Sequence, residues 1–175
     1  NTDKPYFNGT GAVVIEPADA SFQDVHTVWF FFDQDANGMA GFRIGKSTNT
    51  GNVTITNPLT VAGGISLYGG IVTLNANLTS SATGDIFIKS NSNVNAAASI
   101  AANASVFKTA GTGTLTMQSQ DRLNSGIITA SGTGVLNVVL WSDFDNNNNG
   151  GVYVGPVTTN GGHFWLGGTS TNGGS

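Results

Sequence analysis

The chain has 175 residues, no cysteine, six basic and ten acidic side chains, and a net charge of −4. Gly, Asn, Thr and Ser fill 81 positions, which disfavours a helical protein because these residues are poor in helix interiors. A hydrophobic content of 39% with so little charge disfavours a disordered chain. The composition also lacks a basic surface for nucleic acid, an apolar run of the ~20 residues that a membrane helix needs, and cysteines for disulfides or thiolate metal sites.

Short hydrophobic segments recur along the chain, and each is entered through a glycine. Most alternate apolar with polar residues, which is the period of a half-buried β-strand. Strands of this length, separated by turns rich in Gly, Asn and Ser, are typical of a β-sandwich or of a stacked solenoid. In chain order the predicted strands cover residues 12–15, 52–55, 65–67, 71–74, 85–88, 114–117, 135–138 and 163–166.

Internal similarity favours the solenoid. An offset of 110 residues superposes 33–37 on 143–147 and the apolar segment 28–31 on 138–141. A Gly-Thr-Gly motif also recurs at Gly111 and Gly132, a spacing that resembles one coil of a solenoid. We therefore predict an all-β fold of the parallel β-helix or solenoid type, with tandem β-sandwich domains of about 110 residues as the alternative.

The same offset predicts a division of the chain into repeat units, each made of several coils of roughly 20 residues. The predicted units are 1–50 as the end of a preceding unit with an Asp-rich loop, 51–160 as one full unit, and 161–175 as the start of the next.

Two Asp-rich loops are the candidate metal sites. Each reproduces the first half of an EF-hand loop, in which alternate oxygen-bearing side chains converge on calcium. The bidentate carboxylate of the twelfth position is missing, since Ile44 and Val154 stand there. This leaves either a weaker calcium site completed by backbone carbonyls or a solvated turn between two strands. The candidate ligands are Asp33, Asp35 and Asn37 in the first loop and Asp143, Asp145 and Asn147 in the second.

The sequence shows no catalytic constellation, and we predict that the chain is not an enzyme. His26 and His163 stand without a neighbouring acid or nucleophile motif, and no nucleophile elbow, P-loop or zinc-protease motif is present. Aromatic residues concentrate at 29–32 and 163–166. They are either platforms for stacking sugars or strands whose alternate members pack inside the protein. Apart from calcium, no cofactor is expected.

Several segments resemble the β-strand repeats of giant Bacteroidetes surface adhesins that are exported by type IX secretion, the SprB-type gliding adhesins. The resemblance covers roughly residues 45 to 175. The segments that carry it are Ile65–Gly70 (ISLYGG), Gly84–Ser90 (GDIFIKS), Gly134–Asp143 (GVLNVVLWSD), Gly151–Gly155 (GVYVG) and Thr158–Gly168 (TTNGGHFWLGG).

The resemblance implies a very long, extracellular, filament-like protein that is attached to the outer membrane at the cell surface. Its implied partners are external surfaces or polysaccharides, the gliding and secretion machinery of the cell envelope, and adjacent repeats of the same chain. It implies neither nucleic-acid binding nor membrane insertion, and it carries over no catalytic residues. The alternatives are a carbohydrate-binding or carbohydrate-active β-helix module, and a calcium-stiffened spacer without a ligand of its own.

Overall fold

The computed structural model describes residues 9–23, 26–28, 38–92 and 100–168, and for 26–28 only the backbone. In these ranges eighteen short strands form three sheets, and every strand pairing is parallel. A sandwich is built from antiparallel sheets, whereas a chain that coils around one axis brings each strand alongside its successor in the same direction. The solenoid prediction is therefore confirmed, and the tandem-sandwich alternative is wrong.

Each sheet collects one strand from each successive coil. The seven-stranded sheet contains β1 (Ala12–Ile15), β3 (Gly41–Ile44), β6 (Gly64–Gly69), β9 (Ile86–Ser90), β12 (Thr112–Ser119), β15 (Val135–Ser142) and β18 (Phe164–Gly168). The six-stranded sheet contains β2 (His26–Val28), β4 (Val53–Ile55), β7 (Val72–Leu74), β10 (Ile100–Ala102), β13 (Leu123–Asn124) and β16 (Val152–Tyr153). The five-stranded sheet contains β5 (Leu59–Val61), β8 (Leu78–Ser80), β11 (Ser105–Lys108), β14 (Ile127–Ala130) and β17 (Val157–Thr158).

The coils differ in length although their strands stay in register. Val53 pairs with Val72, 19 residues later, whereas Leu123 pairs with Val152, 29 residues later. Because strands must align to form the backbone ladder, the extra residues of the longer coils are placed in the corners. The axis of the protein is therefore regular while its loops vary.

Along each strand every second side chain points inward. From coil to coil these inward side chains stack into columns that fill the interior. In the seven-stranded sheet one such column runs through Phe42, Ile65, Ile86, Leu115 and Val138, each of which is at most 3% exposed. Full burial of an aliphatic side chain of this size contributes about 1.5–3 kcal/mol. The alternation of apolar and polar residues in the sequence therefore predicts which side chains join these columns.

Asparagine and serine side chains satisfy the backbone at the corners. Asn49 is fully buried, and its side-chain oxygen accepts hydrogen bonds from the backbone N–H groups of Phe22 (3.0 Å) and Gly51 (3.1 Å). Its amide group donates to the carbonyl oxygens of Gly51 (3.1 Å) and Tyr68 (2.8 Å). One side chain therefore links three consecutive coils, which explains part of the high Asn content.

The eight predicted strands are confirmed as β1, β4, β6, β7, β9, β12, β15 and β18. Six of them belong to the seven-stranded sheet, so the glycine-entered segments mainly mark this one side of the solenoid. Residues that the 110-residue offset superposes lie in different sheets: Val28 is in the six-stranded sheet and Val138 in the seven-stranded one. The boundaries at 50/51 and 160/161 fall within stacked coils, and the division into units stays a prediction.

Candidate functional site

The second Asp-rich loop, residues 143–149, is held together by its own hydrogen bonds. Asp143 Oδ1 accepts the backbone N–H of Asn147 at 2.9 Å, and Asn147 Nδ2 donates to Asp145 Oδ2 at 3.0 Å. Asn147 Oδ1 accepts the backbone N–H of Asn149 at 2.8 Å. Asp143 and Asn146 have φ angles of 52° and 59°, a left-handed conformation that Asn and Asp tolerate better than most residues. The loop therefore has the internal bonding of an Asx-rich turn.

Three of the six predicted calcium ligands can be placed in this structure. Asp143, Asp145 and Asn147 are brought into one loop, whereas Asp33, Asp35 and Asn37 lie outside the described residues. Among the residues that the structure describes, no three His, Cys, Asp or Glu side chains are arranged to hold a metal ion. Single oxygens of Asp121 and Asp145 are buried without a hydrogen-bond partner, but they are not part of such a group. Calcium binding stays a prediction.

Neither histidine is placed in a catalytic arrangement by what the structure describes. His163 is exposed, and its backbone N–H donates to Asn137 Oδ1 at 2.9 Å, a contact between neighbouring coils. Only the backbone of His26 is described, and it lies in β2. The absence of an enzymatic activity stays a prediction.

The outer face of the seven-stranded sheet carries two aromatic pairs. The rings of Tyr68 and Phe87 have centroids 5.6 Å apart at an interplanar angle of 45°. The rings of Trp141 and Trp165 have centroids 6.3 Å apart and meet edge to face at 83°. In both pairs the second ring lies one strand further along the sheet and two residues back in register, because Tyr68 pairs with Lys89 and Trp141 with Gly167. The two pairs therefore have the same diagonal geometry.

In β18, Phe164 and Leu166 pair with Val138 and Leu140 of the inner columns, and Trp165 pairs with Val139. Phe164 and Leu166 are nevertheless 45% and 48% exposed, so they are not packed inside the part of the chain that the structure describes. The other aromatic segment, 29–32, lies outside the described residues. No local sequence pattern indicates the Tyr68–Phe87 pair, because these residues are brought together only by the register of neighbouring coils.

Gly167 provides the space that Trp165 occupies. A Cβ atom on Gly167 would lie 2.5 Å from the nearest carbon of the indole ring of Trp165. Only glycine at this position allows the ring to lie over its own strand beside Trp141.

Lys108 is a second feature that the sequence did not indicate. Its side chain is fully buried at the end of β11, and its ammonium group donates to Ser80 Oγ (2.9 Å), to the carbonyl oxygen of Gly84 (2.9 Å) and to that of Ala82. Burial lowers the pKa of the Lys108 amine below its ordinary value of 10.5, and the carboxylate of Asp85 partly opposes this shift. The ammonium group therefore joins two coils from inside the solenoid.

A shallow pocket of about 280 Å³ lies on the six-stranded sheet between β13 and β16. Tyr153 at its edge is 73% exposed. The lining residues are Arg122, Leu123, Asn124, Gly151, Val152 and Tyr153. This lining contains no pair of acidic residues of the kind that glycoside hydrolysis uses.

Comparison of the chain with protein-family models, with curated proteins and with solved structures gives no match. Within the described ranges, no helix combines the length and the apolar character that crossing a membrane requires.

Proposed function

We propose that the chain is a structural and adhesive segment of a giant cell-surface filament, which attaches cells to external surfaces or polysaccharide. The observation that carries the proposal is the unbroken stacking of parallel coils, in which each coil contacts mainly its neighbours. Such a protein is extended by adding coils, and its length is independent of the closure of a single core.

The surface chemistry supports adhesion over catalysis. The strands β6, β9, β12, β15 and β18 of the seven-stranded sheet carry a single charged side chain, Lys89. The outer positions of these strands carry aromatic, hydroxyl and amide groups together with Val135, Val139 and Lys89. A surface of this kind binds by shape and by many weak contacts, whereas general acid–base catalysis needs titratable groups with matched pKa values.

The resemblance to SprB-type adhesins supports the cellular setting. It places the filament outside the cell, attached to the outer membrane, exported by the type IX system and moved by the gliding machinery. These assignments belong to the proposal, as does the absence of nucleic-acid and membrane partners.

An adhesion assay tests the proposal. Beads coated with the purified chain are expected to attach to glass or to polysaccharide-coated glass and to resist detachment by flow. Beads coated with an unrelated soluble protein of similar net charge are the control. Attachment no better than the control would contradict the proposal, and so would release of reducing sugars from a polysaccharide by the purified chain.

The runner-up is a carbohydrate-binding or carbohydrate-active module. The aromatic pairs on the seven-stranded sheet favour its binding form. A carbohydrate-binding module would attach to polysaccharide-coated glass but not to uncoated glass, and this distinguishes it from the proposed adhesive segment.

A further inference from the structure

We propose that the outer face of the seven-stranded sheet binds a neutral, extended polysaccharide that runs parallel to the solenoid axis and contacts both aromatic pairs. This inference rests on the proposed adhesive function and names the ligand class and the site.

The repeat of the aromatic pairs is the first argument. Tyr68 and Trp141 occupy the same outer row of the sheet, on β6 and β15, and Phe87 and Trp165 occupy the row beside it, on β9 and β18. Three strand spacings of about 4.8 Å separate the two pairs by about 14 Å, which is the length of roughly three sugars of an extended chain. A polysaccharide on this face would therefore meet an aromatic pair at every third sugar.

The polar groups between the pairs are the second argument. Lys89 and Gln118 lie between Tyr68 and Trp141 in one row, and Thr116 and Val139 lie between the other two rings. Amide, hydroxyl and ammonium groups between aromatic faces provide the hydrogen bonds that orient a polyhydroxylated ligand on an apolar platform.

The charge of the face selects a neutral ligand. Lys89 is the single charged side chain of the five strands, and its ammonium group lies 5.1 Å from the centroid of the Phe144 ring. Asp85, which precedes β9, accepts the backbone N–H of Thr114 at 2.7 Å. A face with one ammonium group, in a chain with a net charge of −4, offers little complement to an acidic polysaccharide.

Exposure is consistent with a contact surface. Trp165 is 50% exposed, although its ring also contacts Trp141. Tyr68, Phe87 and Trp141 are half-buried by one another and by the sheet, so their rings are held in place before a ligand arrives. Preorganised rings lose little conformational freedom on binding.

Isothermal titration calorimetry with cellohexaose and cellobiose tests the proposal. The hexasaccharide reaches both pairs and the disaccharide only one, so cellohexaose is expected to bind at least about tenfold more tightly. Trp165→Ala and Tyr68→Ala are each expected to remove this difference. Phe107→Ala is the matched control, because Phe107 lies on the outer face of the five-stranded sheet.

Gly167→Ala tests whether cellohexaose binding depends on the position of the Trp165 ring or only on the presence of aromatic residues. It keeps every aromatic residue but moves the ring of Trp165, and it is expected to reduce cellohexaose binding as Trp165→Ala does. Circular dichroism and thermal melting verify that each variant is folded.

Equal affinity for the two oligosaccharides, an equal loss in Phe107→Ala, or tighter binding of hexagalacturonate than of cellohexaose would overturn the proposal. So would a loss of self-association in Trp165→Ala, measured by sedimentation, without a change in glycan binding. Because bead attachment is measured separately, a chain that adheres but shows no length dependence refutes this site alone. A chain that does not adhere refutes the proposed function.

Discussion

Replacing the buried Lys108 by methionine tests how the interior of the solenoid tolerates a charge. Methionine fills a similar volume, so the change mainly removes the ammonium group and its three hydrogen bonds to Ser80, Ala82 and Gly84. The bond to Ser80 is buried, so the loss of its donor costs about 1 kcal/mol or more, whereas the bonds to Ala82 and Gly84 are partly buried and water can replace them at a lower cost. The cost of desolvating the ammonium group is relieved at the same time, as the lowered pKa of Lys108 indicates.

We expect Lys108→Met to lower the free energy of unfolding by about 1–2 kcal/mol, the balance of one buried bond, two partly buried bonds and one relieved desolvation. Urea denaturation followed by circular dichroism measures this value. Lys89→Met is the matched control: Lys89 lies on the surface over the ring of Phe144, and its loss is expected to cost less than about 1 kcal/mol. A Lys108→Met variant as stable as Lys89→Met would refute the reasoning, because the three bonds would then contribute nothing net.

Three further predictions concern the same framework. The pKa of Lys108 is lower in the folded than in the unfolded chain, so the unfolded chain binds more protons between that lowered pKa and 10.5. The free energy of unfolding should therefore rise with pH through this interval in the wild type and not in Lys108→Met. Equal pH slopes of the two proteins in urea titrations would contradict this. Asn49→Ala removes four hydrogen bonds at a buried corner and should lower the free energy of unfolding by about 3 kcal/mol. Asn75→Ala, at an exposed position, should lower it by less than about 1 kcal/mol. Similar values for both variants would show that the Asn49 amide is dispensable. Millimolar calcium should leave the melting temperature unchanged, since Asp143 Oδ1, Asp145 Oδ2 and Asn147 Oδ1 already accept N–H groups. An increase that disappears in Asp145→Asn would instead establish a calcium site.

The fold class could be predicted because strand alternation and glycine punctuation are local signals. Four of the five strands of the five-stranded sheet lack the glycine that marks the predicted segments, since Pro58, Asn77, Ala104 and Pro156 precede β5, β8, β11 and β17. Their alternation becomes visible only when the coils are stacked, as when Thr60 pairs with Thr79.

Neither the Tyr68–Phe87 pair on the surface nor the buried Lys108 is indicated by the residues next to it in the sequence. Tyr68 and Phe87 meet because one coil brings β6 beside β9, and coil lengths vary by up to ten residues between pairs such as Val53–Val72 and Leu123–Val152. From the sequence, Lys108 is expected at the surface, because lysine is almost never fully buried without partners. Its partners come from the preceding coil, which no analysis of adjacent residues shows.

The direction of the hydrogen bonds between coils has a mechanical consequence. In stacked parallel coils these bonds run along the long axis, so a pull on the two ends loads them directly. The coil from Phe42 to Ile65 comprises 23 residues: folded, it adds about 4.8 Å to the length, and pulled out straight it spans up to about 83 Å. Because each coil contacts mainly its neighbours, coils detach from an end one at a time. If the chain is part of the proposed adhesive filament, this stepwise lengthening would absorb sudden drag before the attachment to the surface breaks.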